Sequence, residues 1–134
     1  MNLKMNLEEE YMLTEKFFEV ISHEGVVSIV SCGKGEPHIV NTWNSYLTIT
    51  EDKRILIPAA GMTSIQEDVK ENNKVKITVG SKDVQGLFTQ GAGFRLEGTA
   101  NFVSSGAEFD MMMEKFPFLS RVLEITLTEV KQTL

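Results

Sequence analysis

The chain has 134 residues, 42% apolar and 24% charged, with a formal net charge of −6. This length suits one domain, residues 1–134, with a modest core, and the acidic balance without a basic, aromatic-laced stripe argues against nucleic-acid binding. Cys32 is the only cysteine, which excludes an intramolecular disulfide and a cysteine-based zinc site; with neither a basic-then-apolar leader nor a bilayer-length apolar run, the expectation is a cytoplasmic protein with no membrane partner.

Residues 1–7 suggest no element. Tyr11, Met12, Phe17, Phe18, Val20 and Ile21 recur at near-helical spacing and predict a helix over about 8–22. Glu8, Glu9 and Glu10 suit its positive end, and Gly25 is the expected stop after His23 and Glu24. The β-branched run 26–32 predicts a strand, and Gly33-Lys34-Gly35-Glu36 a hairpin turn into a second strand over about 37–43. Residues 46–50 alternate at period two; 51–53 form a tight connection to a strand over 54–58, which Pro58 should end because it lacks an N–H. A short helix follows from Ser64 to about Asn72, then a strand over 75–79. Residues 80–93 hold Gly80, Gly86, Gly91 and Gly93 and read as a loop-rich, mobile rim. Residues 94–103 predict a long strand, about 106–115 a helix, and 122–130, strictly alternating, a closing strand. Six or seven antiparallel strands with short turns and few crossover helices predict a mainly β fold, a small barrel rather than a parallel sheet.

Two stretches carry chemistry. Asn41, Thr42, Asn44 and Ser45 surround the only tryptophan, Trp43. Polar side chains around one indole suit a pocket wall that fixes a ligand's polar edge and covers its flat face; the alternative is a partly buried Trp with solvated neighbours. Further on, Pro58-Ala59-Ala60-Gly61 runs from an apolar strand into a small-residue turn and the helix start at Met62-Thr63-Ser64, which offers backbone N–H groups to an anion. The competing explanation is an ordinary cap by Thr63 or Ser64 with Glu67 returning the bond, and on this feature alone it leads. A flat aromatic ligand carrying a phosphate suits both stretches. The two histidines, His23 and His38, are not spaced as metal ligands, and His38 reads as a surface residue. No metal site and no nucleophile–base constellation can be assembled, so no catalytic residue is assigned. Cys32 reads as a small packing residue, Met111-Met112-Met113 as core or interface filler, and Glu24 as a solvated turn carboxylate.

Glu24-Gly25-Val26-Val27, the string from Pro37 through Leu47 that contains Asn41-Thr42-Trp43-Asn44-Ser45-Tyr46, Gly61-Met62 and the ending Gln132-Thr133-Leu134 together resemble the FMN-binding split β-barrel family, which includes pyridoxamine 5′-phosphate oxidase. The resemblance runs from about residue 12 to the end and leaves 1–11 as an N-terminal extension. It implies a six-stranded antiparallel split barrel of Greek-key type and a homodimer with one FMN per subunit near the interface. Asn41, Thr42 and Trp43 would line the flavin, and the backbone of Pro58, Ala59, Ala60 and Gly61 would follow the ring edge. Ser64 and the helix end would hold the phosphate, and Leu134 and Phe118 of the partner subunit would cover the ring.

Two departures stand out. The family has a Lys-Thr pair where this chain has Ser64-Ile65, and a Gly where it has Ala60. Losing one charge-assisted phosphate contact costs about 1.5–3 kcal/mol, or one to two decades in affinity, with Lys70 and Lys82 as candidate substitutes; the added methyl of Ala60 narrows the approach to a ring. The resemblance implies a flavin electron-transfer protein with an unidentified redox partner. The alternatives are a flavin-dependent oxidoreductase of the same fold and a barrel module that has lost FMN.

Overall fold

The computed structural model describes residues 12–134. Seven antiparallel strands form one curled sheet, a half-barrel, in the order β2-β1-β5-β6-β7-β4-β3. They are β1 (Val26–Ser31), β2 (His38–Trp43), β3 (Thr48–Ile49), β4 (Ile55–Ala59), β5 (Lys74–Gln85), β6 (Gln90–Val103) and β7 (Arg121–Gln132). Short helices accompany them among the described residues: α1 (Glu15–Ile21) ahead of β1, α2 (Thr63–Glu71) between β4 and β5, and α3 (Ala107–Lys115) between β6 and β7. Six strands carry the split barrel, and β3 is a two-residue addition at one edge. No described helix is long and apolar enough to cross a membrane.

Period-two alternation builds the core. Val27 and Ile29 of β1, Val75, Ile77 and Val79 of β5, and Leu123 and Ile125 of β7 all turn inward. Phe17 and Val20 of α1 are fully buried against them, with the Phe17 ring edge-on to Phe94 at 5.6 Å.

Several boundaries differ from expectation. The predicted helix over 8–22 is interrupted, and its first residues, 8–11, lie outside the described ones. Thr14 is extended (φ −79°, ψ 167°) and its hydroxyl accepts from the Phe17 N–H, so α1 starts at Glu15 behind an N-cap. Gly25 is no helix stop; the C-cap is Ser22. Glycine is required at 25 because a Cβ would stand 2.1 Å from the Gly80 carbonyl oxygen. Residues 44–46 form a 3₁₀ turn, which leaves only Thr48 and Ile49 of the expected strand. Pro58 does not end β4, which continues to Ala59; β3 reaches only Ile55 and Leu56, so Pro58 lies where β4 has β7 alone beside it.

The largest correction is at 80–93. This segment is the end of a long β5–β6 hairpin with Gly80 opposite Gly93 and Ser81 opposite Ala92, and only 86–89 turn. The glycines mark close approach rather than looseness: a Cβ on Gly86 would stand 2.1 Å from the Gly91 carbonyl oxygen.

One charge cluster ties α3 to the sheet. Arg54 donates to Asp52 (2.9 Å), to both oxygens of Glu108 (2.8 and 2.7 Å) and to Glu124. Arg54 and then Thr50 hold the Asp52 carboxyl down to about 2, and Arg54 holds Glu108 below its ordinary value. Folded values below the unfolded 3.8 and 4.5 mean that this stabilisation is complete above the ordinary carboxylate range and is lost as pH falls through the folded values. The melting temperature should therefore be nearly level from about pH 8 to about pH 5 and fall below about pH 4.5. In Arg54→Met that acid limb should be shallower; a limb of unchanged steepness would contradict the assignment.

Candidate functional site

β2 is an edge strand, because the sheet order begins with it. One side of the strand carries Ile39 (68% exposed), Asn41 and Trp43 (44% exposed); the other carries half-buried His38 and Val40 and buried Thr42. The Asn41 side-chain oxygen accepts from the Ser28 hydroxyl at 3.2 Å. A pairing strand would cover Ile39 and Trp43, so this edge has unmet apolar surface.

α2 begins beside the same strand. Met62 sits in the left-handed region (φ 61°, ψ 31°) and no side chain caps the helix. The capping explanation for Thr63 and Ser64 therefore fails. The first helical turn, Thr63, Ser64 and Ile65, borders a cleft of about 220 Å³ lined also by His38, Ile39, Val40 and Met62. Uncapped amides at the positive helix end, with two hydroxyls, suit an anionic oxygen group.

The turn between β4 and α2 is held from behind. Pro58 and Ala59 are buried, backbone included, whereas Ala60 and Gly61 are exposed. The Ser120 N–H and hydroxyl donate to the Ala59 carbonyl at 2.9 and 3.2 Å. Arg121 donates to the Ala60 carbonyl at 3.5 Å and to that of Gly61, with its guanidinium 5.3 Å from the Phe102 ring centroid. These bonds fix the peptide orientation of the turn, and sequence reasoning missed them. The register pairing Ala59 with Arg121 creates the contact, and only topology reveals it. Arg121→Ala should weaken binding of any ligand lying along this turn by about tenfold, near 1.4 kcal/mol. The loss should be equal for phosphorylated and unphosphorylated ligands, as read by fluorescence titration.

His38 is not simply a surface residue. Its Nδ1 lies 2.8 Å from Oδ2 of Asp68, which is buried and also accepts from the Ser31 hydroxyl at 2.8 Å. His38 first, then Ser31, holds the Asp68 carboxyl below its ordinary value. The hydroxyl bonds Asp68 and not the imidazole, so this is no nucleophile–base pair. Glu24 is more than a solvated turn residue: it accepts from the Ser45 hydroxyl (2.7 Å) and N–H (3.2 Å), which, hydroxyl first, lower its carboxyl. Neither candidate lysine lines the cleft; Lys70 pairs with Glu67 at 2.7 Å, and Lys82 pairs with Asp83 and borders a different groove.

Leu134 and Phe118 lie apart from the cleft within this chain. Leu134 is strapped to Gly93 by backbone bonds of 3.2 and 3.3 Å beside a groove of about 460 Å³ that includes Val26. Phe118, 53% exposed, packs on Tyr46 with ring centroids 5.5 Å apart. A further hollow of about 460 Å³, around Lys74, Lys76, Glu97 and Thr128, has no aromatic side chain in its wall and so no face for a ring. Among the described residues, no group of three or more His, Cys, Asp or Glu is placed to hold a metal.

Comparison with known proteins agrees with this architecture. Residues 13–134 match the family model described as pyridoxamine 5′-phosphate oxidase. The chain is 41% identical over 123 residues to an FMN-binding protein of Nitratidesulfovibrio vulgaris, covering 92% of this chain and all of that one. An FMN-binding protein of Syntrophomonas wolfei superposes with a TM-score of 0.74 at 16% identity, covering 99% of this chain and 93% of that one. Group A Streptococcus HupZ superposes with a TM-score of 0.75, also at 16% identity, covering 91% and 94%. These two structural matches speak for the fold.

Proposed function

The chain belongs to the pyridoxamine 5′-phosphate oxidase-like family of FMN-binding split barrels, and from that membership we propose that it binds FMN and serves as an electron-transfer protein. The observation that carries the reading is the uncapped start of α2 opening into a cleft beside His38, Ile39 and Val40, on the strand whose next residues are Asn41, Thr42 and Trp43. The 41%-identical relative is an FMN-binding protein. The residues fit the group: Thr63, Ser64 and the helix amides suit its phosphate, Asn41 suits polar ring atoms and Trp43 suits the ring face, while Thr42 is buried on the opposite side of β2.

When bound, FMN supplies reversible one- and two-electron chemistry. The chain binds, orients and shields. Arg121 and Ser120 keep the Ala59–Gly61 carbonyls turned back toward β7, which leaves the other side of the turn free for a ring edge. Buried Thr42 fixes the strand against the core.

The working unit is a homodimer in this reading. Val26, Ile39, Trp43, Phe118 and Leu134 are large apolar groups left 44–68% exposed. A second copy that brings its own Phe118 and Leu134 over the ring would cover such surface, and sedimentation should give twice the chain mass of 15.0 kDa.

The test is thermal unfolding with and without FMN. A hundredfold excess over Kd stabilises by about 2.7 kcal/mol, several degrees for a chain of this size. An unchanged midpoint would overturn the reading in favour of a barrel that holds no flavin. If FMN binds and steady-state oxidation of NAD(P)H or pyridoxamine phosphate saturates, the protein is an oxidoreductase of the same fold rather than a carrier.

A further inference from the structure

The cleft proposed to take the phosphate has neither lysine nor arginine in its wall. A phosphate monoester carries a charge of about −1.5 to −2 near neutral pH, and a helix end offers only about half a unit of positive charge. Among the described residues, the only ionisable side chain lining the cleft is His38.

Resting on the FMN reading, we infer that the His38 imidazolium, oriented by Asp68, is the cation of this phosphate site, taking the place of the absent lysine. Ser64 and Asp68 are four residues apart on α2 and share one helix face, so the hydroxyl and the ring that Asp68 holds converge from adjoining elements. Asp68 is a buried, depressed carboxylate and can only accept, so the hydrogen of its 2.8 Å bond comes from His38 Nδ1. Only Nε2 is then left to act on a ligand. In the neutral ring Nε2 is a lone pair and repels a phosphate oxygen; in the imidazolium it is a donor. Phosphate binding and protonation of Nε2 are therefore linked, and the site takes up a proton as it fills.

The surrounding charges leave this role to His38. Asp68 of α2 bonds its ring, and the residue opposite on β1, Ser31, is neutral. Other charges of α2 are paired outward, Glu67 with Lys70 at 2.7 Å and Glu71 with Lys34 at 3.4 Å. The sequence hid the pair because its members are 30 positions apart on a strand and a helix.

The experiment titrates purified apoprotein with FMN and with riboflavin, following fluorescence quenching, for wild type, His38→Gln and Asp68→Asn. His38→Gln should lose about tenfold in FMN affinity, equivalent to about 1.4 kcal/mol, and keep riboflavin affinity within about twofold. Asp68→Asn should move the FMN-to-riboflavin ratio in the same direction. Raising the pH from about 6.5 to about 8.5 should lower that ratio in wild type but not in His38→Gln. The phosphate's own second ionisation favours the opposite slope, so the sign is diagnostic. Equal losses for both flavins would assign His38 a structural role, and unchanged FMN affinity would remove it from the site; either result overturns the inference while leaving FMN binding intact. Wild type that binds neither flavin would overturn the functional reading and this inference with it.

Discussion

Asn44→Asp should be among the most damaging single substitutions in this protein, lowering the melting temperature by more than about 10 °C. Asn44 is 1% exposed, and its side-chain Nδ2 donates to three carbonyls: Val20 (3.3 Å), His23 (2.9 Å) and Gly80 (3.0 Å). Its backbone N–H donates to Gly25 at 2.9 Å. One amide thus joins the end of α1, the start of β1, the end of β2 and the middle of β5. A carboxylate there would set negative oxygen against three carbonyl oxygens in a buried site. The expected cost is about 3–5 kcal/mol, set against a typical total stability of about 5–15 kcal/mol. Asn44→Ala removes the donor without adding charge and should cost about 2–4 kcal/mol. The Oδ1 of Asn44 has no partner in the structure, so the donor side is what these variants remove. Thermal and urea unfolding followed by circular dichroism measure both. A loss under 1 kcal/mol in Asn44→Asp would contradict this account of the junction.

Ser64→Lys should strengthen FMN binding by about one to two decades and leave riboflavin nearly unchanged. Ser64 is exposed at the first turn of α2 and borders the cleft. A lysine ammonium there adds one charge-assisted bond, worth about 1.5–3 kcal/mol, to a group that carries most of the ligand's charge. The neighbouring departure, Ile65, is a poorer target. It is 1% exposed, and a threonine there would lose packing while placing a hydroxyl in the core. If Ser64→Lys strengthens both flavins equally, the phosphate lies elsewhere.

Much of the fold could be read in advance because alternation survives in β1 and β5, where one face is buried and the other wet, whereas β7 has Val122 and Leu123 both buried near its start. Thr14 was missed as a cap because the apolar spacing runs straight across it. The 80–93 hairpin was misread because four glycines look like slack, whereas Gly86 admits backbone where a side chain would collide, Gly80 sits tight against the Ala92 carbonyl, and Gly91 takes a positive φ. At the candidate site, residue type alone singled out Asn41, Thr42, Trp43 and Ser64 as an expected pocket wall and phosphate end. It did not single out His38–Asp68 or Arg121 with the Ala60–Gly61 carbonyls, because each joins residues 30 or about 60 positions apart. Side-chain chemistry is local in sequence; its partners are set by strand register.

The most direct test of the central claim is the visible absorption spectrum of the protein after incubation with FMN and removal of the excess. The account predicts retained flavin bands near one FMN per chain, displaced less readily by riboflavin than by FMN. A colourless protein after reconstitution would contradict it, and would show that a helix end, two hydroxyls and one histidine do not replace the missing lysine.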